Sequence, residues 1–453
     1  MKMSMKSIVY SLSASVRNFV ALNSILSLLL LINACNKVEN GTENPNPVIT
    51  EQQIITDKIT TSTTWTANKK YLLKGFIYVE SGATLTIEAG TIIKGDKDTK
   101  GTLIIKPGAK IIAEGTVQKP IIFTSNQPKG ARGYGDWGGV ILLGKAKVNK
   151  SPATIEGENL STFGGSDDDD NSGILKYVRI EFAGIAFEPD KEINGLTLGG
   201  VGRGTVMDYI QVSYSGDDSF EWFGGSANAK HLIAFRGLDD DFDTDNGFSG
   251  KVQFGLSLRD PNIADQCSCS SSNVFESDND GAGTAALPQT SVMFANFSAY
   301  IGSGVVNSKY NAGAFIRRNS AMSLLNTVII GAFPKAGVEL NGSSSQTNFK
   351  DGKNELSGLI LSEMSKKWLT IDSTRFFSTE RSNMVNMKLD ELKLDNAYNN
   401  FAAPKFLPLS TSPVLSSPLT LPTGFEQVKY RGAFDKEDWT LGWANFDPQN
   451  SDY

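Results

Sequence analysis

A pattern of glycines repeats along this chain. Gly82-Ala83 is followed by Leu85, Ile87 and Gly90-Thr91; Gly108-Ala109 is followed by Ile111, Ala113 and Gly115-Thr116. The spacing of roughly 25 residues is that of a solenoid coil. A unit this short cannot bury an apolar face alone and must stack on its neighbours. Looser copies follow at Leu175–Gly184, Met207–Gly216, Lys230–Gly237 and Leu325–Gly331, each alternating apolar residues up to a glycine. Alternation of this kind means strands. Val178, Ile180, Phe182, Ile210, Val212, Tyr214, Leu232 and Ala234 are therefore expected to point inward as ladders along one axis.

The repeat resembles a right-handed parallel β-helix of the pectin-lyase-like kind, over about Lys70 to Gly342. A β-sandwich also gives short strands and glycine turns, but a fixed period argues against it. The resemblance implies an all-β solenoid with long loop insertions. From about Trp137 to Asp260 the chain, with Gly195-Leu-Thr-Leu-Gly-Gly-Val-Gly202 and Ser215-Gly-Asp-Asp-Ser-Phe-Glu-Trp222, is also similar to secreted or lipid-anchored β-helix proteins of Gram-negative bacteria. That likeness implies a surface location, and a role beside outer-membrane uptake systems, but no activity.

The N-terminus reads as a leader. Lys2, Lys6 and Arg17 precede the greasy run Ile25–Ile32, which is too short to span a bilayer. It ends in Asn33-Ala34-Cys35, which resembles a lipoprotein lipobox. By that resemblance Cys35 is lipidated and anchors the chain to the outer membrane without crossing it. The expected organisation is a signal peptide over 1–35, a tether and entry segment over 36–64, a β-helix over 65–400, and a Pro- and aromatic-rich C-terminal cap over 401–453. Cys267 and Cys269 are either a strained Cys-x-Cys disulfide or two free thiols.

Composition excludes several functions. With net charge -6, non-specific nucleic-acid binding is not expected. The one histidine, His231, rules out a multi-histidine zinc site and reads as structural beside a strand.

Acids gather in two places. Asp217, Asp218 and Glu221 follow one strand copy, and Asp239, Asp241, Asp243 and Asp245 follow the next. Equivalent places on successive coils stack about 4.8 Å apart, so both sets are expected to share one face and close around a divalent ion. Asp241, Asp243 and Asp245 alternate as in a calcium loop, yet Val252 stands where an EF-hand needs glutamate. Ca2+ is the expected cofactor. Trp222 and Phe223 could stack on a sugar and Arg236 could contact it, although aromatic residues also fill cores. The acids of Asp167–Asp170 read as a solvated turn.

Pectin-lyase-like folds host calcium-assisted lyases and paired-carboxylate hydrolases. Asp217-Asp218 resembles the hydrolase pair, but the accompanying Gly-His-Gly and Arg-Ile-Lys strings are missing. Arg203, Arg236 and Lys251 are the candidate lyase bases, with no motif selecting one. Three readings stand: a surface protein binding an extracellular glycan with calcium, a calcium-dependent polysaccharide lyase, and a structural envelope protein.

Overall fold

In the computed structural model each coil of the solenoid has three faces, and the strands Phe76–Val79, Thr102–Ile105, Gly139–Leu143, Leu196–Gly199, Phe220–Phe223, Phe242–Asp245, Phe275–Ser277, Ala312–Ile316, Ala336–Leu340 and Trp368–Leu369 pair in parallel, one per coil, as one sheet, the third face. Residues 51–453 are described, apart from 156–157, 189–190, 267–270 and 417. The leader, Cys35, Cys267 and Cys269 lie outside the described residues.

Register follows from the alternation in the sequence. Ile77, Leu103, Val140, Leu196, Phe220, Phe242, Phe275, Ala314 and Val338 are successive partners, all fully buried. Rings of Phe220 and Phe242, and of Phe242 and Phe275, stack at 5.5 Å. Identical faces thus meet like with like, and the core is continuous along the axis.

The other two faces merge as the solenoid proceeds. Early coils use separate strands, such as Lys110–Glu114 and Ile121–Ser125. From Gly173–Glu181 to Met293–Ile301 one long strand serves both, its first half pairing with the former and its second half with the latter, before they part again at Ser323–Leu325 and Val328–Ile330. It bends at Tyr177, whose φ is 49°. The bend recurs at Tyr209, His231, Phe254, Asn296 and Asn326, all left-handed. Their side chains leave the core and stack outside it: Tyr177 on Tyr209 at 4.4 Å, Tyr209 on His231 at 4.2 Å, His231 on Phe254 at 5.1 Å. His231 Nδ1 lies 2.7 Å from Asp208 Oδ1, which agrees with a structural role.

Six of the eight expected inward residues line the core. Phe182 and Tyr214 do not. Both have left-handed backbones, φ 62° and 55°, which turn their rings outward into a second apolar layer. That layer is covered by the C-terminal segment, which runs lengthwise against coil order. Asn326 Nδ2 donates to Leu419 O at 2.8 Å, Gln253 Nε2 to Glu426 O at 2.9 Å, Gln211 Nε2 to Asn445 O at 2.8 Å, and Arg132 Nη1 to Pro448 O at 2.7 Å. Trp443 and Phe434 pack beneath it. The segment therefore caps the flank of the solenoid. Its C-terminal end is closed instead by the helix Ser343–Lys350, with Phe349 fully buried, and by Phe376, stacked on Trp368.

Two of the expected boundaries shift. Glu51–Ile55 already pairs with Lys69–Leu73, so the ladder starts before residue 65. Ile49–Tyr453 forms one compact unit, so position 400 separates no domains. Two antiparallel hairpins, Ala153–Ile155 with Glu158–Phe163 and Ala186–Glu188 with Lys191–Glu192, are the loop insertions.

Candidate functional site

On the third face, the residue that follows each inward phenylalanine points out. Thr197, Glu221, Asp243 and Glu276 are successive cross-strand partners and form an outward column. The corner before each strand adds more acids. Carboxylate oxygens of Asp217, Asp218 and Asp239 lie within 4.8 Å of one another, as do those of Asp218, Glu221 and Asp243. Asp218 belongs to both groups. Its Oδ1 accepts the Asp240 amide at 2.8 Å, and Asp240 accepts the Asn273 amide. Asn194 donates its amide to Glu221, and Asn273 donates to Glu276 at 3.1 Å.

Burial dominates the electrostatics. It holds Asp218 and Asp240 well above the usual carboxylate range, with neighbouring carboxylates adding to the effect. Asp243 is raised to about 7 by burial, then by Asp278 and Asp245. Asp245 is raised to about 6, again chiefly by burial. Glu276 is raised by burial and Asp240, although Arg317 opposes this. Carboxylates held so close and so dry favour either protons or a cation. The donor set is all oxygen, which suits a hard metal ion. These buried acidic clusters can hold one.

Both acidic sets of the sequence thus meet on one face, through Asp217, Asp218, Glu221, Asp239 and Asp243. Asp241 does not join them. It points into the solenoid, fully buried, with Oδ1 3.0 Å from Arg259 Nη1 and Oδ2 accepting the Ser257 hydroxyl at 2.5 Å. Its alternation with Asp243 is broken by the corner that precedes the strand. Asp245 is on the outer face but one column away, two residues along the strand.

The expected ligand contacts need correction. Trp222 is a core residue, 1% exposed, stacked on Phe220 and Phe248, because it alternates inward with Phe220. Arg236 sits at another corner, 2.7 Å from Asp260 and over the rings of Tyr214 and Phe401. Phe223 is on the outer face, packed in an apolar cluster with Phe163 and Val148. The candidate bases Arg203 and Lys251 are engaged elsewhere, with Asp168 and Asp169 and with Thr423 O respectively. Asp168 also pairs with Lys147 at 2.7 Å, so the Asp167–Asp170 turn is a surface ion-pair cluster.

Sequence reasoning missed Glu276 and the arginines beside it. Arg317 pairs with Glu276 and lies 2.9 Å from Asp278, and Arg318 lies 2.7 Å from Asp278. The signal was available. Phe220-Glu221-Trp222, Phe242-Asp243-Thr244 and Phe275-Glu276-Ser277 are one aromatic–acid–x triplet on three coils.

A family model described as a pectate-lyase like beta helix domain matches residues 57–408. A comparison with curated proteins finds no match. Among solved structures, the Dettilon tailspike protein (gp208) is matched with a TM-score of 0.31 and 10% identity, over 68% of this chain and 62% of that one. A family model covering most of the chain, over coils that pair in parallel throughout, leaves one conclusion: this protein belongs to the pectate-lyase-like β-helix family.

Proposed function

We propose that the outer third face binds an extracellular glycan, with Ca2+ held among Asp217, Asp218, Glu221, Asp239 and Asp243. The observation that carries this reading is Asp218, buried and within reach of acids from two successive coils. A cation there relieves the repulsion of the column and offers open coordination positions to sugar hydroxyls. The family description, pectate-lyase like, supports a carbohydrate ligand. Titration calorimetry with Ca2+, followed by retention on a panel of acidic and neutral polysaccharides with and without chelator, tests it. No calcium heat and no retention on any polysaccharide would overturn it.

A calcium-dependent lyase is the second reading. It is favoured by Arg317, which its ion pairs with Glu276 and Asp278 hold beside the column, in position to receive the carboxylate of an acidic sugar. New unsaturated ends absorbing in the ultraviolet would distinguish it from binding alone.

The place of action belongs to the same proposal. Lipidation at Cys35 would tether the solenoid to the outer membrane at the cell surface, within reach of an uptake complex. Incorporation of labelled fatty acid that is lost in Cys35→Ala, with release of the protein from membranes, is the expected result.

A further inference from the structure

The outer face holds a second feature, one column beyond the acids. A cavity of about 470 Å³ opens between the third-face strand ends, the corner at 149–154 and the loop at 280–286, and its lining includes Asn149, Lys150, Thr154, Phe223, Asp245 and Thr284. Its size is within the range of small-molecule sites. Phe223 supplies an aromatic wall. Asp245 supplies a carboxylate that accepts its neighbour's amide, from Asn246, at 2.6 Å, and that has no ion-pair partner among the described residues. Lys150 is exposed at the rim. Asn149 is fixed in place by donating to Asn279 O at 2.7 Å.

We infer that this cavity is a subsite for a neutral hexose unit, seated with its apolar face on Phe223 and its hydroxyls shared between Asp245 and Lys150. The inference rests on the glycan reading above and names the sugar class that reading leaves open. The lining carries two carboxylates, Asp245 and Asp280, against the single ammonium of Lys150, so its charge is net negative and it repels an anionic sugar. A wholly apolar ligand would strip water from Asp245 without replacing its hydrogen bonds. An amphipathic ring with hydroxyl edges satisfies both walls. Two residues along a strand is about 7 Å, so a chain with one unit at the cation would place another in the cavity.

Saturation-transfer NMR on the intact protein, with methyl glucoside, methyl galactoside and galacturonic acid as probes, tests this directly. Transfer to a neutral glycoside, and none to galacturonic acid, is expected. Asp245→Asn and Lys150→Ala should each weaken binding about tenfold, the loss of one charge-assisted hydrogen bond. Asp169→Asn, which does not line the cavity, should not. Unchanged melting curves would show that the variants fold. No transfer to any neutral glycoside, or equal affinity in wild type and both cavity variants, overturns the subsite. Polysaccharide retention that survives both variants would remove the subsite and leave the wider glycan reading intact. Hexose binding lost in both variants, without retention on any polysaccharide, would keep the subsite and remove the wider reading.

Discussion

Asp241 and Asp243 stand two apart in sequence, yet they do different work. Asp243 faces outward into the acidic column; Asp241 neutralises Arg259 inside the solenoid. Arg259 in turn donates to the carbonyls of Leu238, Asp239 and Asn273, and so shapes the corner that presents Asp239. Asp243→Asn should therefore abolish a calcium-induced rise in melting temperature, while Asp241→Asn should lower stability and leave that rise in place. Arg259→Met should cost about 3–5 kcal/mol in chemical denaturation, because it strands a buried carboxylate. The pH dependence has a definite sign. Asp243 is raised in the folded state from an ordinary value near 4 to about 7. Its contribution to stability is complete below the unfolded value and is lost as pH rises through about 7. The melting temperature of the chelated protein should thus fall as pH rises from about 4 to about 7. Calcium affinity should move the other way, weakening as protons compete below about 7. The convergence of these acids was legible in their spacing. The inward turn of Asp241 was not, because alternation counts residues along a strand and fails at a corner.

At the scale of elements, the third face was the most readable. Its strands keep strict alternation, and the aromatic–acid triplets fix register and outward face together. The bends were hidden, since tyrosine, histidine and phenylalanine carry no expectation of a left-handed backbone. So was the route of the C-terminal segment. Its prolines and aromatics announced a covering role, but the surface it covers is assembled from coils far away in sequence. Trp443 is 1% exposed, with its ring edge on Tyr177 and Tyr209 at 5.9 and 5.8 Å. Trp443→Ala should cost about 3–5 kcal/mol, read by urea unfolding. The loss should bare the stacked ring column, and increased binding of an apolar dye would report it.

At the scale of the whole molecule, stability is passed from coil to coil. Phe242 stacks on Phe220 and Phe275 inside the solenoid. Phe242→Asp would place an unpaired charge in that column and should prevent folding, so recovery of soluble protein on expression is expected to fail. A change in the middle of the axis should be more damaging than one at Ile77, near its start. The C-terminal segment adds a constraint that a bare repeat lacks. It is bonded at Asn326 and again at Arg132, with fixed rungs between at Gln253 and Gln211. It acts as a ruler laid along the axis. Ordinary repeat arrays gain or lose units freely. Here an added or deleted turn would slide every later mark out of step, so the number of turns in this family member is set by the length of its own tail.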